Sequence, residues 1–116
     1  MSQIKHSSTI FLTLGLTETW TDIKNNLVMN NPLSGGDLRR HKDRFAFHNY
    51  NYDEIVPELR GLIELVRSKC NREMRFVLTV SPVPLGVTFT SSDILTASCL
   101  SKCTLRTAAA GNSLGI

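Results

Sequence analysis

The sequence predicts an α/β fold built on parallel strands, with its core elements in the order strand, helix, strand, helix. Two observations carry this expectation. Thr9–Leu14 and Phe76–Val80 are short runs of mostly β-branched, aromatic and leucine residues, the composition of strands covered on both faces. Between them Ile55, Leu59, Leu62, Ile63, Val66 and Cys70 recur at helical spacing, while Glu58, Arg60, Glu64 and Arg67 fall mostly elsewhere. A strand, a helix and a second strand in that order imply a right-handed crossover.

The first strand ends at Gly15, and Leu16–Trp20 reads as a polar turn anchored by the only tryptophan. Residues 21–47 form a long polar segment containing Asn25-Asn26, Asn30-Asn31-Pro32 and Ser34-Gly35-Gly36-Asp37, all turn chemistry. A segment of this length carries function or folds into a hairpin of its own. Asn51 then stands as a helix N-cap, with Glu54 in capping-box register. Pro57 is too deep for a first-turn proline, so it should kink the first turn or mark the start of the main helix. Asn71 is the expected left-handed C-cap. After the strand Phe76–Val80, Pro82 and Pro84 cannot donate to a ladder and end the pairing. Residues 86–93 read as loop, and a last helix is expected from about Ser98 to Ala110, closed by Gly111.

A chain of 116 residues is at most one domain, and 41% hydrophobic residues suffice for a core. The net charge is only +3, much of it from Arg39, Arg40, Lys42 and Arg44. That cluster reads as a solvated loop. No aromatic residues interleave it as stacking platforms would, which argues against nucleic acid as the partner. Three cysteines with no framework spacing fit a reduced, intracellular chain. Cys99 and Cys103 are one helical turn apart and could share a face; they read as small buried hydrophobes. His6, His41 and His48 form no spaced set with them, so neither a metal nor a cofactor is expected. No apolar run approaches the ~20 residues of a membrane span. Ile10–Leu16 leads into Glu18 and Trp20 without a small-residue cleavage site. A cytoplasmic location is the expectation.

If the strands are parallel, Gly15, Thr17, Glu18 and Ser81 emerge at the carboxyl edge of the sheet, where ligands bind in open α/β folds. Amides beyond Gly15, the hydroxyls of Thr17 and Ser81 and the Glu18 carboxylate would then converge on one crevice, an arrangement suited to a developing oxyanion. The plainer reading of Glu18 is a solvated or loop-pairing carboxylate. Lys102 and Arg106 lie four apart on the last helix, as contacts for an anionic group or as a solvated face. No nucleophile–base pair can be completed: Ser81 has no Gly-x-Ser-x-Gly elbow, and His48 is placed to pack or cap.

The strings Leu12-Thr13-Leu14-Gly15-Leu16-Thr17-Glu18-Thr19-Trp20, Phe45-Ala46-Phe47-His48-Asn49, Leu78-Thr79-Val80-Ser81-Pro82-Val83-Pro84-Leu85 and Ser101-Lys102-Cys103-Thr104-Leu105-Arg106 resemble, in order and spacing, the GSCFA family. The match runs from about residue 9 to 110. The family is similar to the SGNH, or GDSL-like, hydrolases. The resemblance implies part of a three-layer α/β/α sandwich, and hydrolysis of esters of acylated carbohydrate or lipid. Thr17 stands where those enzymes carry an oxyanion-hole asparagine. The Gly-Ser-Cys-Phe-Ala string with the nucleophilic serine and the Asp-x-x-His block are not in this sequence. The chain therefore reads as a middle portion of the domain, with 111–116 as a ragged end, and the isolated piece is expected to self-associate. A module that binds a carbohydrate or phosphorylated ligand without catalysis is the alternative. Nucleic-acid binding through Arg39–Arg44 is a third, weaker one.

Overall fold

The computed structural model describes residues 2–31, 33–70 and 73–111. The elements are α1 (Ser2–His6), β1 (Thr9–Leu14), β2 (Glu18–Asp22), β3 (Leu27–Val28), α2 (Gly35–Arg40), β4 (Phe45–Asn49), α3 (Tyr52–Cys70), β5 (Arg75–Val80) and α4 (Ile94–Ala110). β1 and β5 pair in parallel, from Thr9 opposite Arg75 to Leu14 opposite Val80. One further bond, from the Ser81 N–H to the Leu14 carbonyl at 2.8 Å, extends the ladder before Pro82 and Pro84. The result is a mixed α/β fold, a partial α/β sandwich in which helices cover a parallel pair.

Among the described residues the two strands are covered on one face only, not on both. α3 supplies Ile55, Val56 and Leu59, and α4 supplies Leu105 and Ala108, to a core against Leu14, Leu78 and Val80. Ile63 and Met74 join Phe76, Ile10 and Leu12 in a second cluster. Both helices thus pack on the even-numbered residues of the strands. On the opposite face Phe11 is 69% exposed and Val77 37%. Thr13 and Thr79 share a hydroxyl–hydroxyl bond of 2.9 Å there. Thr9, Thr13, Arg75 and Thr79 mark this alternation at the odd positions, and the apolar Phe11 and Val77 between them concealed it.

Residues 18–49 build a second, antiparallel sheet in the order β3-β2-β4. The stretch read as a turn up to Trp20 is therefore partly strand, with Trp20 opposite Phe47. Asn26 closes the β2–β3 turn at φ 52°, a left-handed conformation that asparagine tolerates. Asp22 anchors this sheet from a buried position. Arg44 grips it with two hydrogen bonds, Nε to Oδ1 at 3.1 Å and a terminal nitrogen to Oδ2 at 2.7 Å. The Asn25 amide and the Lys24 N–H complete its shell. The Arg44 bonds, followed by those from Asn25 and Lys24, hold the Asp22 carboxyl well below the usual carboxylate range.

α3 begins as the capping box predicts. The Glu54 N–H donates to Asn51 Oδ1 at 3.1 Å, and Glu54 Oε2 accepts from the Asn51 N–H at 2.9 Å. The helix runs through Pro57, which lies on its exposed side. The expected C-cap Asn71 and most of the expected ragged end, residues 112–116, lie outside the described residues. α4 begins at Ile94, earlier than the expected start at Ser98, because Asp93 caps it by accepting from the Thr96 N–H and hydroxyl. Gly111 ends the helix in extended geometry, at φ −71°. The buried stripe of α4 is Ala97, Ser101, Leu105 and Ala108. Cys99 and Cys103 fall off that stripe and are exposed, contrary to the reading of them as buried hydrophobes.

Ile63 is 1% exposed. Ile63→Ala should cost about 2–5 kcal/mol in denaturant unfolding. Leu65→Ala, at an exposed site on the same helix, should stay within about 0.5 kcal/mol. Asp22, Glu54 and Asp93 all have depressed carboxyl pKa values. Their contribution is present at neutral pH and is lost as pH falls through the folded-state values, so the thermal midpoint should decline below about pH 5. Asp22→Asn should flatten that decline while lowering the midpoint at pH 7.

Candidate functional site

The loop after β1 is fastened to α4. The Thr17 N–H and hydroxyl both donate to Ser101 Oγ, at 2.9 and 3.0 Å. Both residues are buried. The Thr17 carbonyl accepts from the Tyr50 N–H at 2.9 Å, which ties the same loop to the end of β4. One residue beyond Ser101, Lys102 Nζ donates to the Gly15 carbonyl at 2.7 Å. Burial pushes the Lys102 pKa down.

Glu18 opens β2 and clamps the loop that follows β5. Its Oε1 accepts from the Thr88 hydroxyl, and its Oε2 from the Phe89 N–H at 3.0 Å. Phe89 is thereby brought onto an aromatic cluster. Its ring lies 5.1 Å from that of Trp20, edge-on, and 5.9 Å from Phe47, and Trp20 and Phe47 are 5.2 Å apart. The Trp20 indole N–H is buried and meets no acceptor among the described residues. Between this cluster and the β2–β3 hairpin lies a cavity of about 240 Å³. Its apolar wall is Leu16, Trp20, Met29, Leu85, Val87 and Phe89; Glu18, Asn30 and Asn31 supply the polar groups.

Of the residues singled out in the sequence, Glu18 lines this cavity. Gly15, Thr17 and Ser81 lie just beyond the ends of β1 and β5 and are not among its lining residues. The Ser81 hydroxyl accepts from the Val83 N–H at 3.2 Å, closing a local turn. A Cβ at Gly15 would meet nothing within 4 Å, and its backbone is not in the left-handed region. Arg106 is exposed one turn beyond Lys102 on α4. The sequence pattern does not mark Trp20, Asn30, Asn31 or Phe89 as lining residues. The Asn30-Asn31 pair read only as turn chemistry, and no spacing rule connects residue 31 with residue 89.

Elsewhere, Lys24, Arg40, His41 and Lys42 surround a shallow hollow next to Arg44. Arg44 is held by Asp22. His48 Nε2 lies 2.8 Å from Glu54 Oε1, joining the imidazole to the capping box of α3, and its ring stacks edge-on with Tyr50. The Glu54 carboxyl is held below its ordinary pKa by the Asn51 N–H first and by His48 after it. Among the described residues no group of His, Cys, Asp and Glu is arranged to hold a metal ion. No helix among them is long and apolar enough to cross a membrane.

Ser101→Ala removes the acceptor of two buried donors and should cost about 1–3 kcal/mol in unfolding measurements. Gly15→Ala should change stability by less than about 1 kcal/mol, since neither space nor backbone geometry demands glycine there.

A family model, described as the GSCFA family, matches residues 1–112. No curated protein and no solved structure matches the chain. The family match spans nearly the whole sequence and includes both loops of the cavity and the helix that fastens them: the chain belongs to the GSCFA family.

Proposed function

We propose that this chain supplies the substrate crevice of an SGNH-like ester hydrolase acting on acylated carbohydrate or lipid. The observation that carries the reading is the cavity lined by the segments that follow β1 and β5, walled by aromatic and aliphatic side chains with two asparagines and a fixed carboxylate. An acyl chain suits the Leu16, Leu85 and Val87 wall; sugar hydroxyls suit the Asn30 and Asn31 amides. Thr17, Ser101 and Lys102 hold the loop, and the open side of Gly15 is the approach for the reacting carbonyl. Glu18 and the Ser81 hydroxyl border that approach, and Arg106 is left for an anionic substituent. The nucleophilic serine, the acid and the base belong to portions of the family domain other than these residues, because neither the Gly-Ser-Cys-Phe-Ala string nor an Asp-x-x-His block occurs in this sequence.

A carbohydrate-binding module without catalysis is the second reading, favoured by the same asparagine pair. The Glu18 carboxylate in the wall speaks against a phosphorylated ligand.

Calorimetric titration with an acetylated xylo-oligosaccharide should give saturable binding, weakened at least about tenfold by Asn31→Ala or Phe89→Ala. No saturable binding would remove the crevice reading. Hydrolysis of p-nitrophenyl acetate should not exceed the buffer rate; turnover by the chain alone would contradict the placing of the nucleophile elsewhere. If binding persists and ester hydrolysis stays absent when the chain is joined to a family Gly-Ser-Cys-Phe-Ala segment and Asp-x-x-His block, the second reading stands.

The isolated chain should also associate with itself, since β1 and β5 form a two-stranded sheet whose exposed face carries Phe11. Sedimentation velocity should show mass rising with concentration, and less so in Phe11→Ser. A concentration-independent monomer would count against it.

A further inference from the structure

We propose that Cys99 and Cys103 form a reversible oxidation site, closed to an intramolecular disulfide by a small disulfide of the glutathione class, and that closure loosens the loop after β1. The inference goes beyond the hydrolase reading and does not rest on it.

The two sulfurs lie 4.0 Å apart, and both residues are exposed on α4. They are therefore open to a solution oxidant and already side by side. Positions four apart on a helix have Cα atoms about 6 Å from each other. That distance lies inside the span a disulfide bridges. The Cβ atoms of such neighbours stand about 5–6 Å apart, and a disulfide needs roughly 3.5–4.5 Å, so closure requires the backbone of this one turn to shift as well as the side chains to swing together. The third cysteine, Cys70, packs instead on the Met74–Phe76 cluster and is not exposed.

The chemistry balances with one oxidant. The Cys99 thiolate attacks one sulfur of glutathione disulfide, forming a mixed disulfide and releasing one glutathione thiolate, which takes up a proton. The Cys103 thiolate then attacks the Cys99 sulfur of that mixed disulfide. The protein S–S bond forms, and the second glutathione leaves and is protonated. Two electrons pass from the protein to the oxidant, and each cysteine loses one proton. The hydrogen bond to Cys99 and its charge push the Cys103 thiol above its ordinary value, and the exchange balances in the same way whichever of the two sulfurs attacks first.

The turn between these cysteines carries Ser101 and Lys102. Ser101 is the double acceptor for Thr17, and Lys102 holds the Gly15 carbonyl. Drawing the two sulfurs into bonding distance re-aims that turn, and the groups displaced are those that fix the strand-end loop. Reduction restores them.

The test equilibrates the full chain in glutathione redox buffers, alkylates the remaining thiols, and maps the products by mass spectrometry. Reduced protein should take three alkyl groups, one per cysteine. Oxidised protein should take one, at Cys70, with a Cys99–Cys103 cross-link that dithiothreitol reverses. Amide exchange at Thr17 should quicken at least about fivefold on oxidation, a local opening. It should not change in Cys99→Ser or Cys103→Ser treated alike. Stable glutathione adducts on both cysteines without closure, or a cross-link involving Cys70, would overturn the site. Closure with unchanged Thr17 exchange would overturn the coupling to the loop.

Discussion

Ser101 Oγ accepts from both the N–H and the hydroxyl of Thr17 in a site closed to solvent. Thr17 lies between β1 and β2, so this contact sets how the parallel pair passes into the antiparallel sheet. A serine inside a helix is otherwise neutral or mildly unfavourable. Here it is the only polar position on the buried stripe of α4, and it meets a loop that has two donors to satisfy. Glu18 follows Thr17 directly, so the direction of its carboxylate is inherited from that anchor. Through Glu18 the same constraint reaches Thr88 and Phe89, about 70 positions further along the chain.

What the sequence made legible is what depends on neighbours in the chain. The Asn51–Glu54 box needs partners three residues apart, and it forms as its spacing implies. The parallel pairing of Thr9–Leu14 with Arg75–Val80 follows from two apolar runs and a crossover helix. The early start of α4 was also written locally, in Asp93 and Thr96, but the apolar residues after it drew no helical pattern until Ser98. Phe45-Ala46-Phe47-His48 alternates with the strand period, yet it sat at the end of a stretch dominated by turn residues. Coverage of the sheet is a different matter. Whether Phe11 and Val77 are buried depends on which face the helices reach; the only local trace is their polar neighbours two positions away, Thr9, Thr13, Arg75 and Thr79, which two large apolar side chains outweigh in a composition-based reading.

The candidate site was legible in outline and not in its walls. Parallel topology places Gly15 and Ser81 at one edge whatever the side chains do. The cavity, by contrast, lies where a hairpin, a strand and a proline-rich loop converge, and their residues are linked only through space. Asp22 and Arg44 illustrate the same limit: 22 positions apart, one reads as part of a polar stretch and the other as one of a basic cluster. Together they fix the far end of the antiparallel sheet, and the basic cluster loses one of its charges to that pairing.

Trp20 touches Phe47 from its own sheet and Phe89 from the loop that Glu18 holds. It is also the single tryptophan in the chain. Its emission therefore reports one junction and nothing else. Undocking of the 85–93 loop would bring water to the indole and shift the spectrum to the red, whereas melting of α1 or fraying of α3 would leave it unchanged. The protein carries its own optical gauge of whether the cavity is assembled, at the place where β2, β4 and the loop after β5 have to agree.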